Sequence, residues 1–253
     1  MWDPGEYLAF SDHRARPAHE LMARVGAASP RRVVDLGCGA GNLTHLLADR
    51  WPDAELEALD SSPDMVRAAR ERGVPARVGD VRAWRPGPDV DVVLCNAVLQ
   101  WVPEHVQLLR GWIPDLPAGA WFAFQVPGNF DAPSHNIIRE LAGSSRWGER
   151  LREVPLRKDA VLDPQDYADI AADAGAAVDA WETTYVQAMR GENPVLEWVA
   201  GTALRPIRAA LDDAEWELFR AELAPELAAA YPRRSDGVTW FAFRRVFVVA
   251  QRP

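Results

Sequence analysis

Cysteine and lysine are nearly missing from this chain. Among its 253 residues there are two cysteines, Cys38 and Cys95, and one lysine, Lys158, so almost every basic side chain is an arginine. Two cysteines make no disulfide framework, and a reducing, cytoplasmic setting is expected. The histidines, His13, His19, His45, His105 and His135, are dispersed without paired ligand spacing, so no metal site is expected. No apolar run approaches the length of a membrane span, and the first residues lack the basic and apolar stretches of a signal peptide. No membrane partner is therefore expected. Basic residues are outnumbered, 28 against 37 acidic, for a formal net charge of -9. Such a balance argues against a general nucleic-acid surface and leaves room for a local basic pocket. With no repeat, low-complexity run or flexible linker to divide them, residues 1–253 read as one domain, expected as a monomer or weak dimer.

What is present is organised around residues 31–44, Arg-Arg-Val-Val-Asp-Leu-Gly-Cys-Gly-Ala-Gly-Asn-Leu-Thr. A short β-branched run, an acidic residue and three alternating glycines followed by a helical pattern read as strand, tight loop and helix. Glycine at positions 37, 39 and 41 permits positive φ and lets a ligand approach the backbone. The spacing G-x-G-x-G fits a dinucleotide loop, G-x-G-x-x-G, poorly, and a purely structural turn stands as the plain alternative. A second short strand, residues 55–60, ends in Asp60 about twenty residues past the glycines, where a ribose diol would lie.

The rest of the chain continues to alternate. Strands are expected at 33–36, 56–60, 76–78, 89–96, 119–127, 178–189 and 238–250. Helices are expected at 42–50, from Pro63 to Arg72 behind a Ser62 N-cap, at 103–112, and from Asp163-Pro164 to Gly175. Arg16-Pro17 reads as the start of a helix whose apolar stripe is Ala18, Leu21, Met22 and Val25. This alternation predicts an α/β fold, a doubly wound, mostly parallel seven-stranded sheet, with residues 1–29 as a helical lid and 193–232 as a helical cap inserted before the last strand. Ligands of such sheets bind beyond the carboxyl ends of the strands, and Asp35, Asp60, Asp80 and Asn96 all fall there, with Gln125 delivered to the same edge.

Asp35-Leu-Gly-Cys-Gly-Ala-Gly followed by Asp60 resembles the S-adenosylmethionine site of the class I methyltransferases, whose last strand is antiparallel. Asn96-Ala-Val-Leu-Gln-Trp101 continues the resemblance, and the outlying segments narrow it. Tyr7-Leu-x-Phe10, Arg14-x-Arg16-Pro17, Asp60-Ser-Ser-Pro, Thr183-Thr-Tyr185, Leu204-Arg-Pro206, Tyr231-Pro232 and Arg245-x-Phe-x-Val-Ala250 are similar to the trans-aconitate 2-methyltransferases. The resemblance implies that Asp35, Gly37, Cys38, Gly39, Asn42, Asp60, Ser61, Asp80, Val81, Asn96, Ala97 and Trp101 bind S-adenosylmethionine. It further implies that Tyr7, Arg14, Arg16, Gln100, Gln125, Tyr185, Arg205, Tyr231 and Arg245 surround a small polycarboxylate substrate.

A carboxylate with a pKa of about 4 is already ionised at neutral pH, so no general base, and hence no catalytic residue in that sense, is expected. The implied reaction is carboxyl methylation giving a monomethyl ester and S-adenosylhomocysteine. A methyltransferase for another acid or for a natural-product hydroxyl, and a non-catalytic S-adenosylmethionine-binding protein, remain as alternatives.

Overall fold

The computed structural model describes residues 11–253, with side chains from Arg16 onward. Its centre is a seven-stranded sheet. In chain order the strands are β1 (Arg32–Leu36), β2 (Glu55–Asp60), β3 (Ala76–Val78), β4 (Val90–Asn96), β5 (Trp121–Pro127), β6 (Ala177–Arg190) and β7 (Val238–Gln251), and across the sheet they run β3-β2-β1-β4-β5-β7-β6. β1 pairs in parallel with both β2 and β4, whereas β7 runs antiparallel to β5. The doubly wound expectation and the antiparallel last strand are both borne out. Strand order turns back at β1 and β4, the switch point where such sheets open a crevice at their carboxyl ends.

The central strands are buried on both faces, which explains why they read as unbroken apolar runs rather than alternating ones. Val33 and Val34 in β1, Val92, Val93, Leu94 and Cys95 in β4, and Phe122 and Ala123 in β5 are wholly inaccessible. The helices are α1 (Ser11–Ala23), α2 (Thr44–Arg50), α3 (Pro63–Glu71), α4 (His105–Asp115), α5 (Pro133–Ala142), α6 (Pro164–Asp173), α7 (Pro194–Ala200), α8 (Arg205–Ala210) and α9 (Asp213–Ala230). Local chemistry sets several of their starts. Ser62 caps α3 by accepting from the Met65 amide, and Asp212 and Glu215 form a reciprocal capping box on α9.

One helix start differs from expectation. Pro17 lies inside α1 rather than at its first turn, so Arg14 and Arg16 sit within the helix instead of preceding it. Tertiary anchoring outweighs the hydrogen bond that an internal proline removes. Ala18, Leu21, Met22 and Val25 are buried, and Arg50 donates to the Met22 and Val25 carbonyls at 2.7 and 2.6 Å, tying down the end of the helix. The helix expected at Asn42 starts instead at Thr44, leaving Asn42 in the glycine loop.

Two compact units emerge. The first comprises the described residues up to Pro127 with Val161–Thr183 and Arg245–Pro253; the second comprises Gly128–Ala160 and Thr184–Arg244. The second unit has its own aromatic core: Trp198 lies 5.8 and 5.3 Å from the rings of Phe241 and Phe243, and Trp147 lies 5.4 Å from that of Phe219. In the first unit Trp112 stands edge-on to Trp84, stacks on Phe122, and donates its indole N–H to the Trp84 carbonyl at 3.1 Å. Trp112 joins α4 to the sheet through ring packing and one hydrogen bond. Trp112→Ala should cost about 3–5 kcal/mol by leaving a large cavity, read as a lower urea midpoint at unchanged slope.

Candidate active site

Backbone groups at the carboxyl end of β1 are gathered by the end of β2. Gly37 and Cys38 donate their N–H groups to the Leu59 carbonyl at 2.8 and 3.0 Å, and Gly39 donates to Asp60 Oδ2 at 2.9 Å. The other Asp60 oxygen accepts from the Ser62 amide at 2.8 Å. Each oxygen keeps a further lone pair, so the fixed carboxylate can still accept from two vicinal hydroxyls.

The three loop glycines do different work, although all have positive φ. A Cβ at Gly37 would lie 2.2 Å from Val98 Cγ2, and one at Gly41 would lie 2.8 Å from Val74 Cγ2. These two positions permit packing. At Gly39 a Cβ would meet nothing within 4 Å, so open space lies in front of that backbone. An open, backbone-lined edge beside a fixed carboxylate fits the nucleoside and amino-acid portions of S-adenosylmethionine.

Asp35 is buried behind the loop, its Oδ2 accepting from the Thr44 hydroxyl at 2.7 Å. Loss of water pushes its carboxyl up to about 6 from the usual 3.8, against the Thr44 hydrogen bond and with repulsion from Asp60 adding to it. Cys38 and Cys95 are buried thiols, each raised by desolvation. Asn42 accepts from Arg72, which also donates to the Ala40 carbonyl at 3.0 Å. At the end of β3, Asp80 caps a short 3-10 turn and is gripped by the Arg82 guanidinium, which holds its carboxyl below the usual range. Ser61 is exposed beside Asp60, and Val81 is buried in the core.

After β4 the chain turns sharply. Among the described residues Ala97 alone is a non-glycine with positive φ, +57°. Its N–H donates to the Gln125 carbonyl at 2.9 Å and its carbonyl accepts from Gln100 Nε2 at 2.7 Å, so both peptide groups are pinned. Strain of this kind persists only where surroundings over-determine it. The same turn delivers Val98 against Gly37. Gln100 is buried with Oε1 making no hydrogen bond among the described residues, whereas Trp101 is 47% exposed. Alongside, Gln125 Nε2 donates to Asn96 Oδ1 at 2.6 Å, and Arg245 donates to Gln125 Oε1 at 2.9 Å.

The first unit therefore brings together the residues expected at the strand ends. Arg16 lies on α1, exposed and ion-paired with Glu20. Tyr185, Arg205 and Tyr231 belong to the second unit, where Tyr231 Oη accepts from the Ser134 amide at 3.1 Å. Tyr7 and the side chain of Arg14 lie outside the described residues. Thr44, Val98 and Arg82 were not anticipated. Only Arg82, two residues past Asp80, carried a sequence signal.

A methyltransferase-domain family model matches residues 33–113, the segment from β1 into α4. By structure the chain is similar to the YcgJ protein of Bacillus subtilis, with a TM-score of 0.59, 94% of this chain and 99% of that one covered, and 14% identity, a likeness of fold. By sequence it is 68% identical over 252 residues, 99% of each chain, to a trans-aconitate 2-methyltransferase of Rhodococcus jostii, and 62% identical over the same coverage to that of Mycolicibacterium gilvum. The chain belongs to the trans-aconitate 2-methyltransferase family. It is an S-adenosylmethionine-dependent methyltransferase. No described helix is long and apolar enough to cross a membrane.

Family membership sharpens what the loop chemistry should do. Gly37→Ala should destabilise by about 2–4 kcal/mol, from the Val98 clash and left-handed strain, and Val98→Ala should recover part of it. Gly39→Ala should cost only about 1 kcal/mol of stability yet weaken S-adenosylmethionine binding, as calorimetry would show. Asp35 has a second consequence. Its folded value lies above its unfolded one, so its neutral form stabilises the fold at low pH and that contribution is lost as pH rises through about 6. Urea titrations should show Asp35→Asn gaining about 1–2 kcal/mol over the parent between about pH 5 and pH 7.5.

Proposed function

We propose that this enzyme methylates a carboxylate of trans-aconitate, or of a closely related small polycarboxylic acid, giving the monomethyl ester and S-adenosylhomocysteine. The observation that carries this reading is the 68% identity across 99% of both chains with a relative bearing that substrate's name. The likeness therefore spans the outlying segments as well as the glycine loop.

Bound S-adenosylmethionine supplies a methyl group on a positively charged sulfur. The residues of this chain have binding and positioning to do. Asp60 receives the ribose hydroxyls on its remaining lone pairs, and the open backbone at Gly39 admits the amino-acid portion. Because the acceptor carboxylate is ionised at neutral pH, no proton need be removed. Catalysis reduces to holding one oxygen in line with the methyl group where water is excluded.

A tricarboxylate entering a protein of net charge -9 needs dedicated cations. Arg14, Arg16 and Arg205 are proposed for this, since a guanidinium binds carboxylate through two parallel hydrogen bonds. Tyr7, Gln100, Gln125, Tyr185, Tyr231 and Arg245 complete the proposed surroundings of the substrate. Two unpaired cysteines suit a cytoplasmic enzyme, which we take to act as a monomer or weak dimer.

Steady-state kinetics across a panel of organic acids, beside calorimetry with S-adenosylmethionine and with NAD, tests the reading. Turnover should be highest on trans-aconitate, and preferential NAD binding would sink it. Arg14→Ala and Arg205→Ala should each lower kcat/KM by the equivalent of about 2–4 kcal/mol while leaving S-adenosylmethionine affinity unchanged. Parent-like kcat/KM in both variants would make these arginines surface charges.

A further inference from the structure

Arginine can only donate hydrogen bonds, and this fixes the polarity of a buried chain of amides at the site. Arg245 is 5% exposed and Gln125 wholly buried. Because Arg245 offers only N–H groups, the Gln125 face turned toward it must be the carbonyl, Oε1, at 2.9 Å. Nε2 of Gln125 is thereby turned to Asn96, which must present Oδ1 to it, at 2.6 Å. Reversing either amide would set donor against donor. The backbone secures the same alignment, since Asn96 on β4 and Gln125 on β5 are register partners, and Arg245 on β7 pairs with Pro127 on β5.

One group is left over. Asn96 Nδ2 makes no hydrogen bond among the described residues and stands half-buried at the carboxyl end of β4, one residue before the strained Ala97. Gln100 shows the opposite polarity on the same turn: its Nε2 is spent on the Ala97 carbonyl, and its buried Oε1 is left as an acceptor.

We infer that Arg245, acting through Gln125, locks Asn96 as a hydrogen-bond donor to a carboxylate oxygen of a bound ligand. A carboxylate is acceptor-only, so an asparagine free to rotate would present its repelling oxygen part of the time. Two carboxylates are available on the proposed function, on which this inference rests: the substrate's own and that of the methionine portion of S-adenosylmethionine. Arg245 is a positioning residue in this scheme, with no direct contact to substrate required.

The experiment compares kcat, KM and S-adenosylmethionine Kd for the parent and four variants. Asn96→Asp keeps the shape but replaces the donor with an acceptor, so KM for the acid or Kd for the cofactor should rise about tenfold or more at about pH 8. A rise in KM alone identifies the substrate carboxylate, and a rise in Kd alone identifies the methionine carboxylate. The deficit should shrink as pH falls toward about 5.5, where the introduced carboxyl takes up a proton beside the ligand anion and donates again. A merely structural lesion would not recover. Gln125→Glu retains the contact to Arg245 but cannot donate to Asn96, and should show the same loss without the pH recovery. Arg245→Lys, still donor-only, should restore most of what Arg245→Met loses, whereas an arginine gripping substrate through its planar fork would be rescued poorly.

Parent-like KM and Kd in Asn96→Asp, or no difference between Arg245→Lys and Arg245→Met, would overturn the inference. Failure of the function reading looks different. The parent would then turn over no acid, while Asn96→Asp would still weaken cofactor binding if the lock operates on the methionine carboxylate.

Discussion

Four backbone N–H groups converge on the last two residues of β2. Gly37 and Cys38 donate to the Leu59 carbonyl, and Gly39 and Ser62 donate to the Asp60 carboxylate. Much of the site depends on this gathering, because it fixes the glycine loop to the neighbouring strand at the switch point of the sheet. It also satisfies donors that would otherwise be costly to leave unpaired in a partly buried turn. With the loop held there, Gly37 faces Val98 closely enough that no side chain fits between them, and the turn after β4 takes its position from the loop.

That turn carries polar groups at the carboxyl end of β4. Its strained Ala97 is held from both sides, its N–H by the Gln125 backbone carbonyl and its carbonyl by the Gln100 side-chain amide, whose Oε1 is left over. The rigid backbone comes from these ties to Ala97, and the fixed amide polarity from the neighbouring side-chain hydrogen bonds of Arg245, Gln125 and Asn96. Carboxyl methylation by positioning asks for little else, since the nucleophile arrives charged and the barrier falls mainly through alignment and exclusion of water.

Electrostatics divide the molecule in a matching way. Much of the arginine is spent in solvent-facing pairs such as Arg31 with Asp91, Arg77 with Glu57 and Arg150 with Glu215, each worth little in screening solvent. Arg245 differs in being buried and in addressing an amide, where its donors set polarity. An acidic protein can therefore accept an anionic substrate without a basic surface, provided cations and donors are placed at the site.

The sequence by itself determined the strand-loop-helix unit, the alternation that makes a parallel sheet, and the placement of Asp35, Asp60, Asp80 and Asn96 at strand ends. These follow from local pattern: runs of β-branched residues, glycines after an acidic residue, and caps such as Ser62-Pro63. Pro17 misled because an isolated proline favours a helix start, whereas burial of Leu21 and Met22 and the clamp from Arg50 carry α1 through it. Tertiary structure alone decided which glycine faces open space, since Val98 and Val74 lie 61 and 33 positions from the glycines they oppose (98 - 37 and 74 - 41). It also decided the direction of the Asn96 amide, because Arg245 and Gln125 are separated by 120 residues and meet only through antiparallel pairing of β7 with β5. Hydrogen-bond polarity passes through space from a group that can only donate, and no local pattern in the chain records it.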